Sequence, residues 1–352
     1  MVEFLIKSDI QEITDRLATI ANKFSGKTIL LTGGRGFLGR YFTEVLVNLN
    51  KTVLDNPAKL ILLDNLITAG NEGMIIPNFE NVTFIEHNVV DPFEWEQPID
   101  YVIHAAGIAS PYYYRAYPLE TLDVAISGTR RMLDLANDHN AHFTFFSSSE
   151  IYGDPDIKHV PMSESYRGNV SCQGPRACYD ESKRVGETLC YIYQKYNNIK
   201  TNTIRPFNVF GPGMQKTDYR VLPNFALRIK RGLPLQIYGS GKQTRTFCYI
   251  TDAIVGFFLV ILNGVPGEAY NIGNPDQEIS IIDLARKIEN ILAQPINYDI
   301  VEHPDSYPND EPNRRAPDIR KASVQLEFQA LVQLDEGLKR FLSWSDTAYN
   351  DI

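Results

Sequence analysis

Tyr179 and Lys183 stand four residues apart in a stretch whose apolar spacing predicts a helix. Ser147-Ser148-Ser149-Glu150 closes a predicted strand upstream of them. A phenol with its ordinary pKa near ~10 is a poor base at neutral pH, and an ammonium one helical turn away favours the phenolate. Tyr179 is therefore a candidate general base. With 19 tyrosines in the chain, a Tyr-x-x-x-Lys spacing alone carries little weight. Its context has to supply the rest.

That context begins at Gly33-Gly34-Arg35-Gly36-Phe37-Leu38-Gly39, between a predicted strand and a predicted helix. Glycines there allow a tight turn, bring backbone N–H groups up to a pyrophosphate and let the helix sit close to the sheet. Asp64, at the end of the next predicted strand, can accept hydrogen bonds from both ribose hydroxyls of a dinucleotide. It lies further on than the usual spacing, and Asn48–Pro57 reads as an insertion that makes up the difference. Arg35 could meet a 2′-phosphate, but Asp64 would repel it, so the expected cofactor is NAD.

The elements that must position these residues alternate. Strands are predicted at Lys27–Thr32, Leu60–Asp64, Val82–His87, Tyr101–His104, His142–Ser147 and Thr201–Arg205, with helices at Phe37–Leu49, Thr121–Asn137 and Tyr179–Tyr196. Such alternation implies right-handed crossovers and a parallel sheet covered on both faces. The fold class expected is α/β: a Rossmann-like, doubly wound parallel sheet with a smaller mixed α/β substrate-binding lobe. Residues 26–210 are assigned to the NAD-binding domain. Residues 211–352 are assigned mainly to the substrate lobe, built from Val221–Arg231, Leu235–Tyr238, Ile250–Leu262 and Ile281–Leu292, with some segments returning to the first domain. Residues 1–25 are read as an amphipathic helix on Ile10, Ile13, Leu17, Ile20 and Phe24, opened by a capping box of Ser8 and Gln11.

Composition narrows the function. A net charge of −9 repels polyanions, so nucleic acid is not an expected partner, although a few local arginines can still hold a small anion. The four cysteines form no C-x-x-C pair, and neither disulfides nor a metal site are expected. The N-terminal segment is charged, and no window approaches the ~20 apolar residues needed to span a bilayer. These features predict a cytoplasmic protein without a membrane partner.

Taken together, the glycine signature, Asp64, the Ser148–Tyr179–Lys183 set and Asn208 in Arg205-Pro-Phe-Asn-Val-Phe-Gly-Pro resemble the extended short-chain dehydrogenase/reductase superfamily, nucleotide-sugar branch. The resemblance runs from about Gly26 to Phe341. Within that branch the chain is most similar to the UDP-glucuronate decarboxylases, or UDP-xylose synthases. The similar segments are Ser147–Pro155, Gly174–Glu187, Arg220–Phe225, Tyr238–Tyr249 and Asn313–Asp318.

The resemblance implies a set of roles. Gly33, Gly36, Phe37, Leu38, Gly39, Asp64, Asn65, Asn88, Val89, Ala105 and Ala106 would hold NAD, together with Tyr179 and Lys183. Ser148, Glu150, Tyr179, Lys183 and Arg245 would be catalytic, with Glu150 and Arg245 as the decarboxylation pair. Tyr113, Asn208, Arg220, Val221, Tyr238, Arg245 and Arg315 would bind a nucleotide-sugar substrate, Arg220 and Arg315 at its phosphates. The implied chemistry is oxidation at carbon 4 of a glucuronate, loss of carbon dioxide from the resulting β-keto acid, and return of the hydride, so that NAD is not consumed. A homodimer is also implied.

Several positions depart from that pattern. Arg35, Asn88, Ala125 and Ser182 replace the usual residues, and His104-Ala-Ala-Gly-Ile-Ala-Ser-Pro-Tyr-Tyr-Tyr replaces a second proline-rich turn. Glu150 after Ser149 speaks against a 4,6-dehydratase, whose pattern there is Asp-Glu, and against a 4-epimerase, which lacks the glutamate. Retention of both Tyr179 and Lys183 speaks against a non-catalytic NAD-sensing scaffold. The nucleobase, the sugar and the oxidation state of the product stay open at this level.

Overall fold

A computed structural model of the chain describes residues 4–70, 74–75, 78–302 and 312–349. Six strands make up its first part, β1 (Thr28–Thr32), β2 (Lys59–Asp64), β3 (Val82–Glu86), β4 (Tyr101–His104), β5 (His142–Phe146) and β6 (Thr201–Pro206), with helix α2 (Phe37–Thr52) after β1 and further helices after β4 and β5. The later strands are β7 (Val209–Phe210), β8 (Leu235–Tyr238), β9 (Thr244–Arg245), β10 (Cys248–Tyr249), β11 (Ala269–Ile272), β12 (Ile279–Ser280), β13 (Tyr298–Val301) and β14 (Arg314–Arg315). A seven-stranded sheet runs β11-β6-β5-β4-β1-β2-β3, and every pairing in it is parallel. Its central strands are continuous runs of buried residues, Ile29, Leu30 and Leu31 or Leu60 to Leu63, as a sheet covered on both faces requires.

The strand order reverses between β1 and β4. A crevice opens there beyond the carboxyl ends of the strands, where ligands of doubly wound sheets bind. Strand β11 comes from far along the chain, after three segments of the second lobe, and docks on β6. The second lobe adds small sheets: β9 between β12 and β14, β8 beside β13, and β7 beside β10.

Helix α1 spans Lys7–Leu17 and buries Ile10, Ile13 and Leu17. The Ser8–Gln11 capping box does not form. The helix starts two residues earlier, with Ile6 rather than Ser8 at the N-cap and no side-chain bond there, so Ser8 falls inside the first turn. The helix packs on its own chain: Tyr249 donates to Asp9 at 2.6 Å and Arg16 pairs with Asp252 at 2.7 Å. Helix α2 continues to Thr52, so the first half of the expected insertion at 48–57 is helical. Asn50 then closes the turn into β2, donating to the Ala58 carbonyl and accepting its N–H. The helix predicted at 121–137 is two helices, Pro118–Asp123 and Thr129–Asp138, joined by a π-turn at Val124–Gly128.

Among the described residues no helix is long and apolar enough to cross a membrane, and no group of three His, Cys, Asp or Glu side chains is placed to hold a metal.

Candidate active site

The loop after β1 is glycine for steric reasons. A Cβ on Gly33 would lie 2.9 Å from the Ala105 carbonyl, and one on Gly39 would lie 2.2 Å from the Gly33 carbonyl. Gly33 also has a φ of +70°, which disfavours any L side chain. Beside this loop is a cleft of about 330 Å³. Gly33, Gly36, Phe37, Leu38, Gly39, Asp64, Asn65, Asn88, Val89, Ala105 and Ala106 all line it. The cleft, its close-packed glycine turn and the carboxylate at its far wall fit a dinucleotide.

Asp64 accepts the N–H groups of Arg35 and Leu66, both at 2.8 Å. Burial pushes its carboxyl above the ordinary value in spite of those bonds. The Arg35 side chain is buried, donates to the Ile75 carbonyl and lies within reach of the Asp64 charge.

A second cavity of about 160 Å³ adjoins the first, and Ala109, Met214 and Arg220 line both. Tyr179 faces this second cavity from the helix Ala177–Tyr196, with Glu150, Asn208, Val221, Tyr238, Arg245 and Arg315 around it. Ser148 hydrogen-bonds Tyr179. Lys183, one turn on, is buried and donates to the Phe146 carbonyl at 2.8 Å. Burial lowers its pKa to about 8. Its ammonium is 5.7 Å from the Tyr179 ring centroid, and burial leaves the phenol pushed up to about 12 against the Ser148 bond.

Glu150 pairs differently from the sequence expectation. Arg315 grips it through Nη1 and Nη2 at 2.6 and 2.5 Å, and Arg176 donates to Oε2 from the other side. Burial works against ionisation, yet the two guanidiniums hold the carboxyl down to about 2. Arg245, on β9, lines the same cavity and donates to the Thr244 carbonyl. Arg315, expected at a phosphate, is in this structure the bidentate partner of Glu150. The nearness of Arg245 and Arg315 follows from the parallel pairing of β14 with β9, which puts them opposite each other.

Tyr113 lines the first cleft, whereas its neighbour Tyr114 lines the second cavity. Tyr114 is 2% exposed, and its hydroxyl makes no hydrogen bond among the described residues. Arg176 and Tyr114 are the site residues that the sequence did not single out. Arg176 lies in the similar segment Gly174–Glu187, and Tyr114 in a run of three tyrosines whose helical phase only the fold settles.

The sequence pattern of the NAD dependent epimerase/dehydratase family matches residues 29–273. The chain belongs to this family. Like other members of the NAD dependent epimerase/dehydratase family, it is an NAD-dependent enzyme of nucleotide-sugar modification. It is 39% identical over 319 residues to UDP-glucuronic acid decarboxylase 1 of Xenopus tropicalis, covering 90% of this chain and 72% of that one. Against UDP-glucuronic acid decarboxylase 1 of Arabidopsis thaliana it is 36% identical over 321 residues, covering 90% and 69%. Among solved structures, the UDP-glucuronic acid 4-epimerase of Bacillus cereus with UDP-glucuronic acid and NAD superposes with a TM-score of 0.76 at 25% identity, covering 92% of this chain and 100% of that one.

Proposed function

We propose that the chain decarboxylates UDP-glucuronate through a 4-keto intermediate to a UDP-pentose. The observation that carries this reading is the cationic sugar-side cavity. Arg176, Arg220, Arg245 and Arg315 surround Tyr179 in a chain of net charge −9. A UDP-hexuronate brings a diphosphate and a carboxylate, and guanidinium forks suit both.

Gly33, Gly36, Gly39 and Asp64 would hold NAD, whose bound nicotinamide supplies a two-electron acceptor for the hydride of carbon 4 and gives it back. Tyr179 takes the proton of the carbon 4 hydroxyl, Ser148 bonds the same oxygen, and Lys183 stabilises the phenolate. The new ketone is β to carbon 6. The bond from carbon 5 to carbon 6 then breaks, carbon dioxide leaves, and its electron pair forms an enolate at carbons 4 and 5. Arg245 orients the carboxylate and neutralises the enolate. A proton added at carbon 5, under the control of Glu150, restores the ketone. Tyr179 would then give its proton back to the carbon 4 oxygen as the ketone is reduced to the pentose. Arg220 and Arg315 bind the phosphates, Asn208 and Val221 the adjoining sugar, Tyr238 the base side, and Tyr113 the wall shared with the cofactor.

Carbon dioxide release, with mass spectrometry of the products from UDP-glucuronate, UDP-glucose and dTDP-glucose, tests this. Carbon dioxide and a UDP-pentose from the first alone are expected. UDP-galacturonate without carbon dioxide would establish instead the 4-epimerase reading, which the Bacillus cereus neighbour favours. We also propose a homodimer, supported by Leu119 and Ile126 on one strip and Tyr191 and Tyr196 on the Tyr179 helix, all exposed. Light scattering at twice the 39.9 kDa chain mass is the expected result.

A further inference from the structure

Arg176 is the N-cap of the helix that carries Tyr179, and it is 5% exposed. Its carbonyl accepts the N–H groups of Tyr179 and Asp180 at 2.9 and 3.0 Å. Its guanidinium meets Glu150 through Nη2, and its Nε lies 3.8 Å from Asp180 Oδ2. One residue thus ties Glu150 to the helical turn that sets the position of Tyr179.

The two arginines on Glu150 are anchored differently. Arg176 is fixed by a helix start and by Asp180. Arg315 lies on β14, a strand of two residues, and it lines the cavity into which the diphosphate or the carboxylate of the substrate would come. Both arginines line that cavity, but Arg176 is tied to the helix start and to Asp180 whereas Arg315 is carried by a two-residue strand, so a substrate anion would draw Arg315 rather than Arg176. A buried carboxylate that loses one of two cations stays charged only if the other holds it.

We propose that Arg176 is a positioning residue: it keeps Glu150 in place as a carboxylate beside the sugar while Arg315 is drawn to the substrate. This rests on the decarboxylase reading above. The titratable and charged groups around Glu150 are Arg176 and Tyr179 from the helix, with Asp180 behind Arg176, Tyr114 from Pro111–Ala116, Arg315 from β14, and Arg245 on β9, which lines the same cavity. Tyr179, Asp180 and Tyr114 carry no positive charge. Arg245 is engaged with the substrate carboxylate in the decarboxylase reading, so without Arg176 no cation is left to Glu150 once Arg315 turns to the substrate, and burial then favours the protonated acid.

The test uses the NAD-loaded protein and UDP-glucuronate between pH 5 and 9. Carbon dioxide release by the wild type should show no acid limb from Glu150. Arg176→Met should lose about tenfold or more in kcat at pH 7 with a smaller change in KM, as expected for one charge-assisted contact. It should also gain an acid limb that disappears when Glu150→Gln is added. An unchanged pH profile in Arg176→Met overturns the proposal.

Infrared titration of the UDP-glucuronate complex gives a second readout that needs no turnover. A protonated-carboxyl band near pH 6 is expected in Arg176→Met and not in the wild type, and it should vanish with Glu150→Gln. Lack of the band in Arg176→Met overturns the proposal even if the wild type releases no carbon dioxide and the decarboxylase reading has failed. Should Arg176→Met not fold, Arg176→Lys keeps the charge without the fork. Lowered kcat on a flat pH profile is then expected, and wild-type kcat overturns the assignment.

Discussion

The ring of Tyr114 lies parallel to that of Tyr179, with centroids 5.3 Å apart and planes 12° apart. Its hydroxyl has no partner among the described residues, and a buried donor left unpaired costs about 1–3 kcal/mol. A sugar oxygen in the cavity would recover that cost. Tyr114→Phe should therefore weaken UDP-glucuronate binding about tenfold while raising the melting temperature of the free protein and leaving the affinity for UDP alone unchanged. Calorimetric titration with both ligands decides it; equal loss for UDP would put the hydroxyl at the nucleotide instead.

Tyr179→Phe removes only the ionisable oxygen from the stacked pair. NADH absorbance in a single turnover with UDP-glucuronate should disappear, with substrate affinity within a few-fold of wild type. Undiminished hydride removal would assign the base elsewhere.

Cofactor choice follows from Asp64, whose two oxygens already accept the Arg35 and Leu66 N–H groups at the wall of the cleft. A 2′-phosphate brought against that carboxylate would be repelled, and Arg35 is directed at the Ile75 carbonyl. NAD should bind at least tenfold more tightly than NADP, and Asp64→Ala should narrow the gap from both sides. Fluorescence titration of both cofactors measures it, and tighter NADP binding by the wild type would reverse the role of Arg35.

Lys183 titrates on the alkaline side. Its pKa is lowered by burial to about 8, so the ammonium is present below that pH and lost as pH rises through it. The first-step rate should fall above pH 8. Lys183→Arg, whose guanidinium stays charged, should be slower but lack that limb. A rate that keeps rising to pH 10 in the wild type would show that the Lys183 charge is not needed.

Much of this protein is legible in its sequence because apolar periodicity and glycine placement are local. Tyr101–His104, Leu235–Tyr238 and Ile281–Leu292 coincide with their elements in the structure, and the Gly33–Gly39 turn sits where its strand and helix require. What local pattern could not show was contact between distant segments. Arg315 reaches Glu150 across 165 residues, and that depends on a two-residue parallel bridge with no periodicity to detect. Tyr114 rather than Tyr113 faces the sugar side because the short helix Pro111–Ala116 fixes the phase of three identical residues. The capping box failed for a similar reason: α1 is held by Asp9, Arg16 and the packing beneath it, so tertiary contacts outweighed a local signal.

Strand β11 gives the molecule an order of assembly. The cofactor-side sheet needs a strand that leaves the ribosome only after the chain has passed through β7 to β10, so nascent chains ending before Ala269 present β6 as a bare edge. The two lobes cannot mature one after the other as beads on a string. Any split, circular permutation or fusion that parts residue 206 from residue 269 cuts through a single cooperative unit, and the half bearing the dinucleotide turn would be the one to self-associate.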